Sequence, residues 1–259
     1  MTAEQIDSLF AKTLTGDYDG EAPWAAVHQL RHIGSRDVFD RAAEWCRSKV
    51  PLERARGFDV LAQIGKRAGN PQHAFPAESY SIISDLLQRE HEIRPLLSAI
   101  YALGHIDNPE AVPLVTAFRS HPDPHIRNAV VFALASFPND PHSIESLLML
   151  LRDNDDDVRD WATFGLGVLG DADSIEIREA LLRQLSDPNQ DVREEAMAAL
   201  AKRQDKRALA SLVKALKQPE VTVRVIEAAC AMLGMDRDSP SWSSGDYIGA
   251  LRKRFADAK

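Results

Sequence analysis

The sequence predicts an all-α solenoid of about seven two-helix repeats closed by a C-terminal helix, and three observations carry that prediction. One segment is written several times: DVRDWATFGLGVLG (157–170) returns as HIRNAVVFALASFP (125–138) and as DVREEAMAALAKRQ (191–204). Each copy opens on a polar residue, adds an aliphatic residue and an arginine, and runs through small and aliphatic residues to a helix-ending Gly, Pro or Gln. The equivalent stops, Gly34, Gly65, Gly104, Pro138, Gly170, Gln204 and Gly234, recur with a period of roughly 30 to 40 residues, the length of one two-helix unit. Composition agrees, because 44% hydrophobic residues with only 7% aromatic suit short, closely packed helices. A repeat array grows along one axis, so 1–259 reads as one repeat domain: repeats over 1–234, a linker over 235–245 and a capping helix over 246–259.

From the N-terminus, Ile6, Leu9, Phe10 and Leu14 at helical spacing predict a first helix over 2–14. Gly16 to Pro23 reads as a loop. Helices follow over 24–33, stopped by Gly34, and over 37–49, with Val38, Ala42, Trp45 and Cys46 on one face. Pro51 and Gly65 bracket the next helix, Pro at the start and Gly at the stop being the favoured arrangement. Residues 66–76, KRAGNPQHAFP, break the rhythm and read as an inserted loop. Helices then resume over 80–89, 93–103 and 110–119, and the later units have first helices near 143–152, 175–186 and 206–217. Asp246 caps a last helix through Phe255, placed to cover the open end of the core.

The seams between units carry their own chemistry. Asp157 and Asp191, each followed three residues later by Asp160 or Glu194, have the spacing of a capping box and are expected to start helices. Asp153 and Asp187 lie six residues before Arg159 and Arg193, which predicts a partly buried ion-pair ladder within or between units. The acidic run 153–157 lacks the glycine and distal Glu of an EF-hand, so a calcium loop is excluded.

Thirty-one Lys and Arg against 39 Asp and Glu leave a net charge of −8, which repels a phosphate backbone and disfavours nucleic acid as a partner. The two cysteines, Cys46 and Cys230, fall on packing faces and predict reduced thiols. The N-terminus lacks a basic and then apolar leader pattern, and no apolar run is long enough to span a bilayer. A soluble cytoplasmic protein without a membrane partner is the expectation.

The two-helix period, the Asp187-Pro188 turn, the aliphatic-Arg pair and the Ala-rich helix closing on Leu-Gly resemble HEAT repeats of the short phycobilisome-lyase type. The resemblance is strong from Ile93 to Gly234 and weaker from Trp24 to Gly65. It implies a right-handed superhelix whose second helices line a concave side. It implies no reaction, because that fold hosts scaffolds, lyases and hydroxylases alike.

With Val158 buried, a helical wheel puts Asp160 and Phe164 on the opposite, concave-facing side. Counting back from each stop gives the matching set: Trp24, His28 and Arg31, then Phe58 and Asp59, then Arg94 and Tyr101, then Asn128 and Phe132, then Glu194 and Met197, and finally Arg224 and Glu227. This wall is apolar and aromatic in its middle and charged towards its ends, a pattern of partner binding. Deoxyhypusine hydroxylases, HEAT enzymes that this chain resembles, carry iron-binding His-Glu dipeptides in slots that here read Asn128-Ala129, Asp160-Trp161 and Glu194-Glu195. His121, His125 and His142 match no zinc signature, so no metal and no cofactor is expected. The sequence thus predicts a non-enzymatic scaffold or adaptor that binds another protein or a peptide segment along this wall, with a bilin-binding lyase or chaperone-like subunit as the alternative.

Overall fold

The computed structural model describes residues 1–235 and 242–256, and the described residues form fifteen α-helices with one short π-helical and one short 3-10 segment. Most of the expected linker (236–241) and the last three residues of the expected capping helix lie outside the described residues. The chain falls into two compact units, Met1–Ser136 and Phe137–Lys259. No described helix is long and apolar enough to cross a membrane.

The first unit holds α1 (Ala3–Lys12), α2 (Glu21–Ile33), α3 (Arg36–Trp45), α4 (Pro51–Ala62), α5 (Pro76–Leu87), α6 (Ile93–Ile106), α7 (Ala111–Thr116) and α8 (Pro124–Ala135). Their ends follow local chemistry. Thr2 and Gln5 close a capping box on α1, Pro stands in the first turn of α4, α5 and α8, and Gly34 ends α2 in the left-handed conformation at φ 57°. The second helices α2, α4, α6 and α8 pack against one another in order, while α1, α3, α5 and α7 each lie on their own partner. Phe10, Leu30, Phe58, Leu61, Ile83, Ile100, Leu103 and Leu134 are fully buried between these layers.

One expected stop is absent. Helix α6 runs through Gly104 to Ile106 and ends at Asp107, which takes the left-handed conformation. A Cβ at Gly104 would lie 2.8 Å from the Cα of Ala133 on α8, so the glycine marks a close helix crossing. The inserted loop folds back on α4: Ala74 N–H donates to Ile64 O, His73 Nε2 lies 2.7 Å from Leu61 O, and Phe75 packs on Phe39.

The second unit holds α9 (Pro141–Leu150), α10 (Asp156–Thr163) continued by a π-helical turn (Phe164–Leu169), α11 (Ile175–Gln184), α12 (Gln190–Lys202), a 3-10 turn (Lys206–Ala208), α13 (Leu209–Leu216), α14 (Val223–Leu233) and α15 (Ser244–Arg254). Helices α10, α12 and α14 form the inner row, and α15 packs on α13 and α14 as expected of a cap. Asp246 acts as the third residue of a capping box whose N-cap is Ser243. Two other caps sit upstream of their expected places. Asp155, not Asp157, accepts from Val158 N–H, and Asn189, not Asp191, accepts from Asp191 and Val192 N–H. In an acidic run several residues have the chemistry of a cap, and the turn geometry selects among them.

The recurring arginine ties four of the internal turns. Arg54, Arg127, Arg159 and Arg193 all aim Nη1 at the carbonyls preceding their own helix, those of Ser48, of His121 and Pro122, of Asp153 and Asn154, and of Asp187 and Pro188. The other edge of the guanidinium reaches the next repeat: Arg159 grips Asp187 at 2.8 and 3.0 Å, and Arg54 grips Glu90 at 2.6 and 3.0 Å. The expected ladder therefore runs between adjacent repeats through carboxylates, while Asp153 and Asp187 give Arg159 and Arg193 of their own repeats a backbone oxygen.

Candidate functional site

In the first unit, Arg94, Ser98, Tyr101 and His105 follow one another at helical spacing along α6, so they share one face. Next to it on α8, Phe132 meets both rings edge-on, with centroids 5.1 Å from Tyr101 and 5.0 Å from His105, and Tyr101 Oη donates to Asn128 Oδ1 at 3.4 Å. Burial, followed by Arg31 and Lys66, pushes His105 down to about 4, so the ring is neutral at pH 7. Tyr101, Asn128 and Phe132 are half-buried and retain accessible surface. The structure thus brings Tyr101, Asn128 and Phe132 of the expected residues together.

The α2 and α4 part of the wall differs. Phe58 is fully buried, and Asp59 and Arg31 are only 6% and 8% exposed. Phe58 is core because α4 is covered on several sides, by α2, α3, α5 and α6. Asp59 is enclosed because the loop between α1 and α2 folds over its carboxylate, and Arg31 is buried between Asp59 and Trp24. Tyr18 from that loop donates its hydroxyl to Asp59 Oδ2 at 2.5 Å and stands 3.1 Å from Ser98 Oγ. Arg56, with no exposed surface, bonds Asp59 Oδ2, Thr13 O and Tyr18 O and lies 3.5 Å from the centroid of the Tyr18 ring. Burial and the neighbouring Asp59 carboxylate hold the Tyr18 phenol far above its ordinary range, which keeps the proton in place to be donated. Arg31 caps Asp59 O with two N–H groups and lies over Trp24, whose ring approaches His28. Trp24 and Arg94 are half-buried and His28 is exposed.

In the second unit the expected residues also divide. Phe164 is half-buried and meets the 41%-exposed Trp161 at right angles, 5.8 Å between centroids. Glu194 and Met197, by contrast, are each 5% exposed. Met197 joins the packing of α12, and Glu194 accepts from Gln190 Nε2 and Thr222 Oγ1. Both residues line a groove of about 650 Å³ with Arg193, Lys214 and the turn Gln218–Thr222.

Beside this groove, three carboxylates contact one cation. Arg224 of α14 contacts Glu195 at 2.8 Å, Asp191 at 3.1 Å and Glu194 at 3.9 Å. Asp160 Oδ1 is buried without a hydrogen-bond partner. Burial first, then Asp191, Asp157 and Asp156 against the opposing Arg224, raise Asp160 to about 6; burial, then Asp160, Asp191 and Glu194 against Arg224, raise Glu195 to about 7. Acids held above their ordinary range bind more protons folded than unfolded. Their stabilising contribution is therefore complete below the unfolded pKa of about 4 and is lost as pH rises through the folded values. Asp160→Asn is expected to raise the urea midpoint by an amount that grows between pH 4 and pH 7 and then levels. A gain independent of pH would show that Asp160 carries no desolvation cost.

Tyr18, Arg56, Ser98 and Trp161 escaped the sequence reading, which followed one register of the second helices. The available signal for Tyr18 was an aromatic residue isolated between two aspartates and two glycines in a loop. Among the described residues no group of three or more His, Cys, Asp or Glu is placed to hold a metal ion, and Cys46 and Cys230 are buried and free.

Comparison with known proteins agrees with this architecture. The sequence profile for HEAT repeats matches residues 82–167 and 155–234. Protein YibA of Escherichia coli is 32% identical over 213 residues, covering 79% of this chain and 72% of YibA. The crystal structure of YibA superposes with a TM-score of 0.74 at 24% identity over 97% of this chain and 95% of that one. A HEAT-like repeat protein from Thermococcus onnurineus gives a TM-score of 0.54 at 16% identity, covering 97% and 98% of the two chains. The phycocyanobilin lyase subunit alpha of Thermosynechococcus vestitus is 32% identical over 82 residues, 32% of this chain and 30% of that protein. With its repeats matched over more than half the length and a relative aligned over most of it, the chain belongs to the HEAT-repeat family.

Proposed function

We propose that the protein is a non-enzymatic scaffold that holds a protein partner along the exposed face of its second helices. The observation that carries this reading is the continuous half-buried surface of Tyr101, Phe132, Asn128 and His105 in the first unit. Its rings are fixed against one another by edge-on contacts and so lose little freedom on binding. Arg94, on the same face of α6, adds a charge that sets orientation, and His28 is an exposed polar group on α2. In the second unit Phe164, Trp161 and Asp160 offer a ring pair beside an acid, while Glu194 and Met197 contribute from within the helix packing.

Immobilised wild-type protein is expected to retain a partner from its native lysate that the Tyr101→Ala, Phe132→Ala double variant retains at least roughly tenfold less, the scale of a central aromatic anchor. Equal capture by both folded proteins would remove the reading. A second reading, a tetrapyrrole-binding subunit, is favoured by the likeness of 82 residues to a phycocyanobilin lyase subunit. A bilin whose visible absorbance shifts on addition of wild type, and not of the double variant, would put it first.

A further inference from the structure

The loop that covers Asp59 has the composition of a ligand more than of a structural element. It runs Gly16-Asp17-Tyr18-Asp19-Gly20. Asp17 and Asp19 are exposed, and Gly16, at φ 79°, has nothing within 4 Å of where a Cβ would stand. The loop is seated on α4 and α6 by a few polar and aromatic contacts. The Tyr18 hydroxyl bonds Asp59 and Ser98, two guanidinium groups lie 3.5 Å (Arg56) and 4.5 Å (Arg94) from its ring centroid, and Asp19 pairs with Arg94 at 3.2 Å. The Tyr18 carbonyl takes a further bond from Arg56 at 2.6 Å.

The receiving surface also has bonds of its own that do not involve the loop. Arg56 also holds Asp59 at 3.0 Å and Thr13 O at 2.9 Å, and Arg31 holds Asp59 O. Beneath them Phe58 and Leu61 are buried in the helix layers. The surface is thus a preorganised pocket for a phenol, with a carboxylate and a hydroxyl at its end, guanidinium groups over the ring and a cation for a flanking acid.

We infer that Gly16–Gly20 is an intramolecular strap on a surface that takes an extended acidic segment bearing a tyrosine from a partner protein, and that the strap and the partner compete for it. This inference rests on the scaffold reading and names the partner chemistry that one part of the surface accepts. Charge complementarity selects that occupant: the strap's Asp19 pairs with Arg94 and its Tyr18 ring lies against Arg56 and Arg94, and a basic segment would meet those arginines with like charge.

The probe is a fluorescein-labelled heptapeptide of residues 15–21, Thr-Gly-Asp-Tyr-Asp-Gly-Glu, titrated by anisotropy with full-length wild type, Tyr18→Ala and Tyr18→Ala, Arg94→Ala. Binding to Tyr18→Ala is expected to be roughly tenfold or more tighter than to wild type, as when an occupant held at millimolar effective concentration is removed. It is expected to weaken with Arg94→Ala and to vanish when the peptide tyrosine becomes alanine. Tyr18→Phe, which keeps the ring and loses both hydroxyl bonds, should fall between wild type and Tyr18→Ala. Equal binding to wild type and Tyr18→Ala overturns competition, and no binding to a helical Tyr18→Ala protein overturns the surface. Loss of the helical signal in Tyr18→Ala overturns the strap by making the loop part of the fold. Partner capture through Tyr101 and Phe132 is read with the strap intact, so a negative peptide result leaves that outcome standing.

Discussion

Replacing Arg203 by methionine is expected to lower the stability of the protein by about 3 to 5 kcal/mol, among the largest single-residue effects in the chain. The reason lies in the π-helical turn Phe164–Leu169, where the Gly170 N–H reaches back five residues to Gly165 O. The carbonyls at such an end lack amide partners from their own helix. Arg203, with its side chain 4% exposed, fills that role by donating to Leu166, Gly167, Gly170, Ala172 and Ala199 oxygens, and Lys202 adds bonds to Val168 and Gly170. Burial holds the Arg203 guanidinium below its ordinary range, yet the carbonyl dipoles around it favour the cation. Arg203→Lys should recover only a minor part of the loss, because a single ammonium cannot reproduce the fork. Urea denaturation checks both variants, and a loss under about 1 kcal/mol for methionine would show that water replaces the guanidinium at little cost.

A second large effect is expected at Arg56. Arg56→Met strands the Asp59 carboxylate, 6% exposed, without its charge partner, and breaking one side of a buried pair costs about 3 to 5 kcal/mol. Adding Asp59→Asn to Arg56→Met should restore most of the stability at pH 7. Additive losses in the double variant would show that the pair is not coupled.

Much of the architecture is written in local pattern. The aliphatic-Arg pair, the alanine-rich second helix and stops such as Gly34 and Gly234 each act within a few residues, and all seven helix pairs and the last helix appear in order. Gly104 misled because a glycine needed for close approach to Ala133 and one needed for a left-handed turn are the same letter. The caps at Asp155 and Asn189 lay in runs where neighbouring residues have equal capping chemistry. The accessible surface of the second helices was legible where it depends on one helix face, as for Tyr101, Asn128 and Phe132. It was not legible where a distant loop decides exposure: Asp59 sits on the expected face, and Tyr18, far from it in sequence, covers its carboxylate. A helical wheel contains no information about such a contact.

The most direct test of the central claim, that the second-helix face is the binding surface, is quantitative capture of partners from the native lysate by matched folded proteins. The set comprises wild type, Tyr101→Ala, Phe132→Ala on α6 and α8, and Asp85→Ala, Arg89→Ala, whose two sites on and just beyond α5 are exposed. A partner retained by wild type and by the α5 variant, and lost from the Tyr101, Phe132 variant, is the expected result. A partner lost instead from the α5 variant, or retained equally by all three, would contradict the claim.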